Sequence, residues 1–201
     1  MTRTKPLSRR ERNLADIRER ATDLAERIVL SQGVDALNAR GLASELKVSV
    51  GSLYNAFGDL HGVIGAVTAR FAEQLSETLR GALETAPPDS RSRVIALGEA
   101  YFDFAMAQPR RWSLLFEYRP ELQEDPKAQG YQTGLLEMLI NAGGGDPASD
   151  QHRQFFLLLW ASVHGLVSLA CRPTIVAIRP EIARVYIGEL VDAGFRAFPI
   201  G

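Results

Sequence analysis

A chain of 201 residues with 46% hydrophobic and 23% charged side chains sits at the globular average, which excludes a largely disordered protein and leaves room for a small module joined to a larger one. The single cysteine, Cys171, excludes an internal disulfide and fits a reducing compartment; with no apolar leader ahead of the first charges, a cytoplasmic location is expected. The net charge of −1 hides an asymmetry: residues 1–60 carry ten Lys/Arg against eight Asp/Glu and the rest thirteen against sixteen, so attraction for a polyanion concentrates in the first third.

The basic excess is strongest at the start, where Arg3, Lys5, Arg9, Arg10 and Arg12 surround Glu11. A flexible arm laid along phosphates or a minor groove and a solvated tail both fit it. Helix-period apolar residues recur from there on and no strand alternation is visible, so the expected class is all-α with about nine helices. The first is expected from Asp16 to Ser31, with Ile17, Ala21, Leu24 and Ile28 in one stripe and Gly33 as its stop. Asn38 caps a short second helix carrying Leu42 and Leu46, Ser49 caps a third from Val50 to Ala56, and Asp59 caps a fourth from Leu60 to Leu83.

Pro87 and Pro88 break the pattern. A fifth helix is expected from Arg91 to Ala107, a sixth around Trp112 to Phe116 behind Pro109, and, after a polar stretch with Pro120 and Pro126, a seventh containing Leu135, Leu136, Leu139 and Ile140. Gly143 to Gly145 and Pro147 form a loop. The eighth helix, Asp150 to Cys171, ends at Pro173, and a ninth runs from Pro180 to Phe198. Phe155 to Cys171 contains no charged side chain, about the shortest length that spans a bilayer. Ser162, His164 and Ser168 within it favour a helix buried in a bundle or dimer instead.

The segment Asn38 to Phe57, NARGLASELKVSVGSLYNAF, places two short helices about three residues apart, which is helix-turn-helix spacing. Leu42, Leu46, Leu53 and Phe57 point to a core, leaving Val50, Gly51, Ser52, Tyr54 and Asn55 outward in a row of small and hydrogen-bonding groups suited to a major groove. Gly51 allows close backbone approach, Tyr54 can reach a phosphate, and the free amides at the two helix starts are phosphate sites.

At these residues the sequence resembles the tetracycline-repressor (TetR) family, whose recognition region it matches at Val48, Ser49, Gly51, Ser52, Leu53, Tyr54 and Phe57, with Gly33, Arg40, Leu42 and Ala43 upstream. The resemblance implies a homodimeric repressor: a DNA-binding domain at 14–70 and a ligand-binding, dimerising domain at 75–201 that moves the two reading heads. The expected DNA contacts are Asn38, Arg40, Lys47, Ser49, Val50, Gly51, Ser52, Tyr54 and Asn55, on a near-palindromic double-stranded operator. Two departures stand out. Lys47 occupies a turn position where the family carries glycine, at a cost of about 1 kcal/mol if left-handed. Leu60 replaces a phosphate-binding lysine, so that contact does not transfer.

In the second domain Trp160, His164 and Gly165 resemble a signature of one TetR subgroup, with Trp160 and His164 on one helix face and Gly165 permitting a tight helix contact. With Tyr101, Phe104, Trp112, Phe116 and Tyr131 they make a candidate pocket for a small apolar effector, although core packing explains each residue equally well. The resemblance places the dimer interface on the last two helices, where Phe156, Leu159, Val163 and Leu166, then Ile182, Val185, Tyr186, Leu190 and Phe195, offer more apolar surface than one domain covers.

An enzyme is the first rival, but His61, His152 and His164 lack paired metal-ligand spacing, and neither a phosphate loop nor a nucleophile elbow is present. No metal or cofactor is expected. A helical partner-binding protein without DNA is the second rival, and it leaves the outward Val50 to Asn55 face unexplained.

Overall fold

The computed structural model describes residues 8–118, 126–171 and 177–198, with the side chains of 126–129 and 132 excepted. Arg3, Lys5, Pro120 and Pro173 therefore lie outside the described residues. Among those described, the chain is all-α, with no strand. In order come α1 (Arg9–Gln32), a 3-10 turn (Val34–Ala36), α2 (Ala39–Leu46), α3 (Val50–Phe57), α4 (Leu60–Thr85), α5 (Ser90–Ala107), α6 (Pro109–Phe116), α7 (Pro126–Ala142), α8 (Asp150–Cys171) and α9 (Pro180–Ala197).

Two helices start earlier than the sequence suggests: α7 opens at Pro126 itself, and α1 begins at Arg9 rather than Asp16. Ser8 and Glu11 form a reciprocal capping box: the Ser8 hydroxyl accepts from the Glu11 amide at 3.2 Å, and the Glu11 carboxylate accepts from the Ser8 amide at 2.7 Å. Those bonds hold the Glu11 carboxyl below its usual range. Arg9, Arg10 and Arg12 are thus exposed helical residues and not part of an arm. Asp89 likewise caps α5 one residue earlier than expected, accepting from the Ser92 amide at 2.8 Å.

Two compact units divide the chain, residues 1–71 with 113–122 and residues 72–112 with 123–201. In the first, α1 buries Ala21, Leu24, Ala25 and Val29 against Leu42 and Leu46 of α2, Leu53 of α3, and Val63, Val67 and Phe71 of α4. Leu114 joins the same core from the end of α6. Each fully buried aliphatic or aromatic side chain here contributes about 1.5–3 kcal/mol. Gly62 sets the bend into α4, since an added Cβ there would lie 2.0 Å from the Phe57 carbonyl oxygen.

The second unit packs α8 on α9 and α7, and α5 on α7, α8 and α9. Its core contains Val94, Ile140, Phe156, Leu159 and Val191. Gly98 brings α5 close to α9, because a Cβ added there would meet Ile187 at 2.6 Å. Arg91 pairs with Asp192, and Arg184 with Asp103, across the same two helices.

Candidate functional site

Three polar caps and one unusual backbone conformation shape the segment from Asn38 to Gly62. Asn38 accepts from the Gly41 amide at 2.7 Å, Ser49 from the Ser52 amide at 3.0 Å, and Asp59 from the Gly62 amide at 2.9 Å. The Ser49 and Ser52 hydroxyls also share a 2.8 Å hydrogen bond. Between α2 and α3 the chain turns sharply at Lys47, whose φ of 57° and ψ of 42° are left-handed. It is the one non-glycine residue with positive φ among those described, and it carries a cost of about 1 kcal/mol. The Val48 amide closes the turn on the Ala43 carbonyl at 3.0 Å.

These constraints orient α3 with Leu53 and Ala56 buried and Phe57 half-buried against the same core. Gly51, Tyr54 and Asn55 are exposed, Tyr54 by 42%, and Val50 and Ser52 are half-exposed. Arg40 stands exposed on the first turn of α2, and Lys47 is exposed in the turn. The Asn38 and Ser49 side chains are committed to their caps, which leaves backbone amides as the donors that each helix start can offer a phosphate.

Two arginines outside this segment hydrogen-bond to its backbone carbonyls, and sequence spacing gave no sign of either. Arg18 of α1 donates from Nε to the Ala56 carbonyl at 2.7 Å. Arg20 donates to the Leu46 carbonyl at 3.0 Å and also pairs with Asp16 at 3.1 Å.

In the second unit, Trp112, Tyr101 and His164 form a hydrogen-bonded chain. The Trp112 indole N–H donates to the Tyr101 hydroxyl at 2.7 Å, and that hydroxyl lies 2.7 Å from His164 Nδ1. Indole has no acceptor, so the phenol oxygen accepts from Trp112; in the second bond, between the Tyr101 hydroxyl and His164 Nδ1, the donor is set by the imidazole tautomer. Burial favours the uncharged form of both rings, pushing the His164 pKa down and the Tyr101 pKa up. The His164 ring stacks on Trp112 at 5.2 Å between centroids and is tilted against Trp160 at 5.0 Å.

Four of the seven pocket candidates, Tyr101, Trp112, Trp160 and His164, therefore meet. Phe104 is buried under the Arg111 guanidinium, 5.4 Å from its ring centre. Tyr131 is exposed on α7, and Phe116 belongs to the first unit. The close helix contact expected at Gly165 is absent among the described residues, because an added Cβ there would have open space around it.

Helices α8 and α9 each carry two apolar faces. Phe156, Leu159, Val163 and Val167 are buried, as are Ala183, Ile187 and Val191. Leu157, Leu158, Trp160, Val185 and Tyr186 stand outside, Leu158 by 70% and Val185 by 62%. A shallow groove beside them is lined by Leu166, Tyr186, Glu189, Leu190 and Ala193. By length and composition α8 could cross a membrane, yet one stripe of it is packed within the unit. No group of three or more metal-ligating side chains occurs among the described residues.

Residues 94–186 match the family model described as "Tetracyclin repressor-like, C-terminal domain". No curated protein matches the chain. Among solved structures, a TetR-family transcriptional regulator from Streptomyces coelicolor is similar at 23% identity over 96% of this chain and 100% of its own, with a TM-score of 0.65. A TetR transcriptional regulator from Rhodococcus sp. RHA1 is 15% identical over 93% and 98%, with a TM-score of 0.67. The multidrug binding protein EbrR, complexed with imidazole, is 21% identical over 94% and 96%, with a TM-score of 0.61. These likenesses show the fold along nearly the whole chain.

Proposed function

We propose that this chain is a sequence-specific, DNA-binding transcriptional regulator: a repressor released from its operator when a small, largely apolar molecule binds the second unit. The observation that carries this reading is α3, capped at Ser49, set off from α2 by a left-handed Lys47, and turning Val50, Gly51, Ser52, Tyr54 and Asn55 outward. In it Asn55 and the first turn of α3 read base edges in a major groove. Arg40, Lys47, Tyr54 and the amides behind Asn38 and Ser49 hold phosphates. The likeness to solved TetR regulators, and the C-terminal family match, support the same reading.

The outward apolar faces of α8 and α9 support a homodimer, with a second copy covering Leu157, Leu158, Val185 and Tyr186. Two α3 helices about 34–36 Å apart would then meet one turn of a near-palindromic operator. Trp160, His164 and Gly165 point to one TetR subgroup, and the Tyr101–Trp112–His164 chain is the polar wall of the effector site. The likeness to EbrR, a multidrug binding protein, supports a small-molecule effector, and the aromatic side chains around His164 favour a largely apolar one. Helix α4 contributes residues to both units, and the effector acts through it by preferring one spacing of the two α3 helices over another. The protein so read works in the cytoplasm, is not an enzyme and keeps α8 in a helical bundle rather than a bilayer.

Selection of bound fragments from a random duplex pool tests the reading. Enrichment of a twofold-symmetric site whose affinity falls steeply with salt is the expected result. A protein that self-associates through α8 and α9 yet enriches no sequence is a helical interaction module instead.

A further inference from the structure

The first unit contains a polar arrangement that the DNA-facing surface does not account for. Neither α2 nor α3 carries a basic residue in its last turn. Each helix nevertheless ends with unpaired carbonyls and a partial negative charge, which a nearby cation stabilises. Helix α1 supplies both cations: Arg18 bonds the Ala56 carbonyl in the last turn of α3, and Arg20 bonds the Leu46 carbonyl that ends α2. The two arginines are two residues apart, so they leave α1 on opposite sides of its buried stripe of Ile17, Ala21 and Leu24. One side reaches α3 and the other α2.

Helix α1 is itself fixed. Its stripe is buried, and Asp23 and Glu26 pair with Arg70 of α4 at 2.7 and 2.8 Å. Those two carboxylates, Glu26 first, raise the Arg70 pKa further. It is thereby tied by charged groups to α2, α3 and α4. Hydrophobic packing alone is non-directional. The arginine bonds have direction, and each fixes one end of a reading-head helix.

We propose that Arg18 and Arg20 are positioning residues for DNA recognition: by capping α3 and α2 from α1 they fix the angle at which Val50 to Asn55 meet a duplex. This rests on the DNA-binding reading above. It concerns the free protein too, and so can fail or stand separately.

The test uses the full chain with Arg18→Met, Arg20→Met and the two lysine replacements. Without DNA, amide hydrogen exchange should quicken about tenfold at Tyr54 to Gly58 in Arg18→Met and at Ala43 to Lys47 in Arg20→Met, with the opposite helix unchanged in each. On the duplex selected by the wild-type protein, Arg18→Met should lose about tenfold in affinity, but less than about twofold on a shuffled duplex of the same length, with an unchanged salt slope. Arg18→Lys, which keeps a cation within reach of the carbonyl, should restore most of both properties. Exchange rates at wild-type levels in both methionine variants would overturn the proposal. An equal loss on both duplexes with a salt slope smaller by about one would also overturn it, since Arg18 would then be a direct phosphate contact. A wild-type protein that selects no duplex removes the DNA reading, and the exchange pattern still decides whether the brace exists.

Discussion

In the first unit the large apolar side chains are inside and the outward face of α3 is small and polar, with Tyr54 the one large hydrophobic exposed there among the described residues. The second unit is arranged the other way, with a Trp112–Tyr101–His164 hydrogen-bonded chain inside and Leu157, Leu158, Trp160, Val185 and Tyr186 outside. A surface built like the first pays little to meet a hydrated polyanion, because its groups hydrogen-bond to water or phosphate alike. A surface built like the second loses water only by meeting another apolar surface. On the proposed reading, the contrast matches recognition of nucleic acid in one unit and self-association in the other.

The most damaging change should be in the first core. Leu53→Ala removes a fully buried side chain from the inner face of α3 and should cost about 2–5 kcal/mol in urea unfolding, abolishing duplex binding while α8 and α9 still associate. Next comes Leu158→Asp, which places a charge in the most exposed apolar position of α8. It should weaken the dimer by about 100-fold, on the order of 3 kcal/mol, in sedimentation equilibrium, with the secondary structure unchanged. Binding of the monomer to a half-site should survive, which separates the two surfaces.

A third variant probes the interior polarity of the second unit. Tyr101→Phe takes away the acceptor of the Trp112 N–H, which is buried, and the hydrogen-bond partner of His164 Nδ1. It should cost about 1–3 kcal/mol of stability and leave affinity for unliganded operator within about twofold. The smallest effect is in pH. Burial lowers the His164 pKa from 6.5, so below pH 6.5 the unfolded chain binds a proton that the folded chain resists. Stability attributable to His164 is complete above that value and is lost as pH falls through it towards the folded pKa. Urea midpoints at pH 7 and pH 5 should therefore differ more for the wild type than for His164→Gln.

Much of the first unit was legible in the sequence because its determinants are local. Asn38, Ser49 and Asp59 bond amides three residues ahead, and Leu42, Leu46 and Leu53 recur at helical spacing. The early start of α1 was missed although Ser8 and Glu11 have capping-box spacing, because the run of arginines around them reads equally as a tail. Arg18 and Arg20 were not legible, because their partners lie 38 and 26 residues away and any arginine on an exposed helix flank looks the same. In the second unit the i,i+4 spacing of Trp160 and His164 gave the shared face, whereas Tyr101 and Trp112 joined them only through tertiary packing. The aromatic composition also drew in Tyr131 and Phe116, which composition cannot separate from the four that meet.

The central claim is that α3 reads duplex DNA, and a salt titration of binding to the selected duplex measures it with wild type, Tyr54→Ala and Asn55→Ala side by side. The account predicts that Tyr54→Ala weakens every duplex by about 1–3 kcal/mol and that Asn55→Ala loses a similar amount mainly on the selected sequence, relaxing preference at one base pair. Full wild-type affinity and selectivity in both variants at every salt concentration would contradict it.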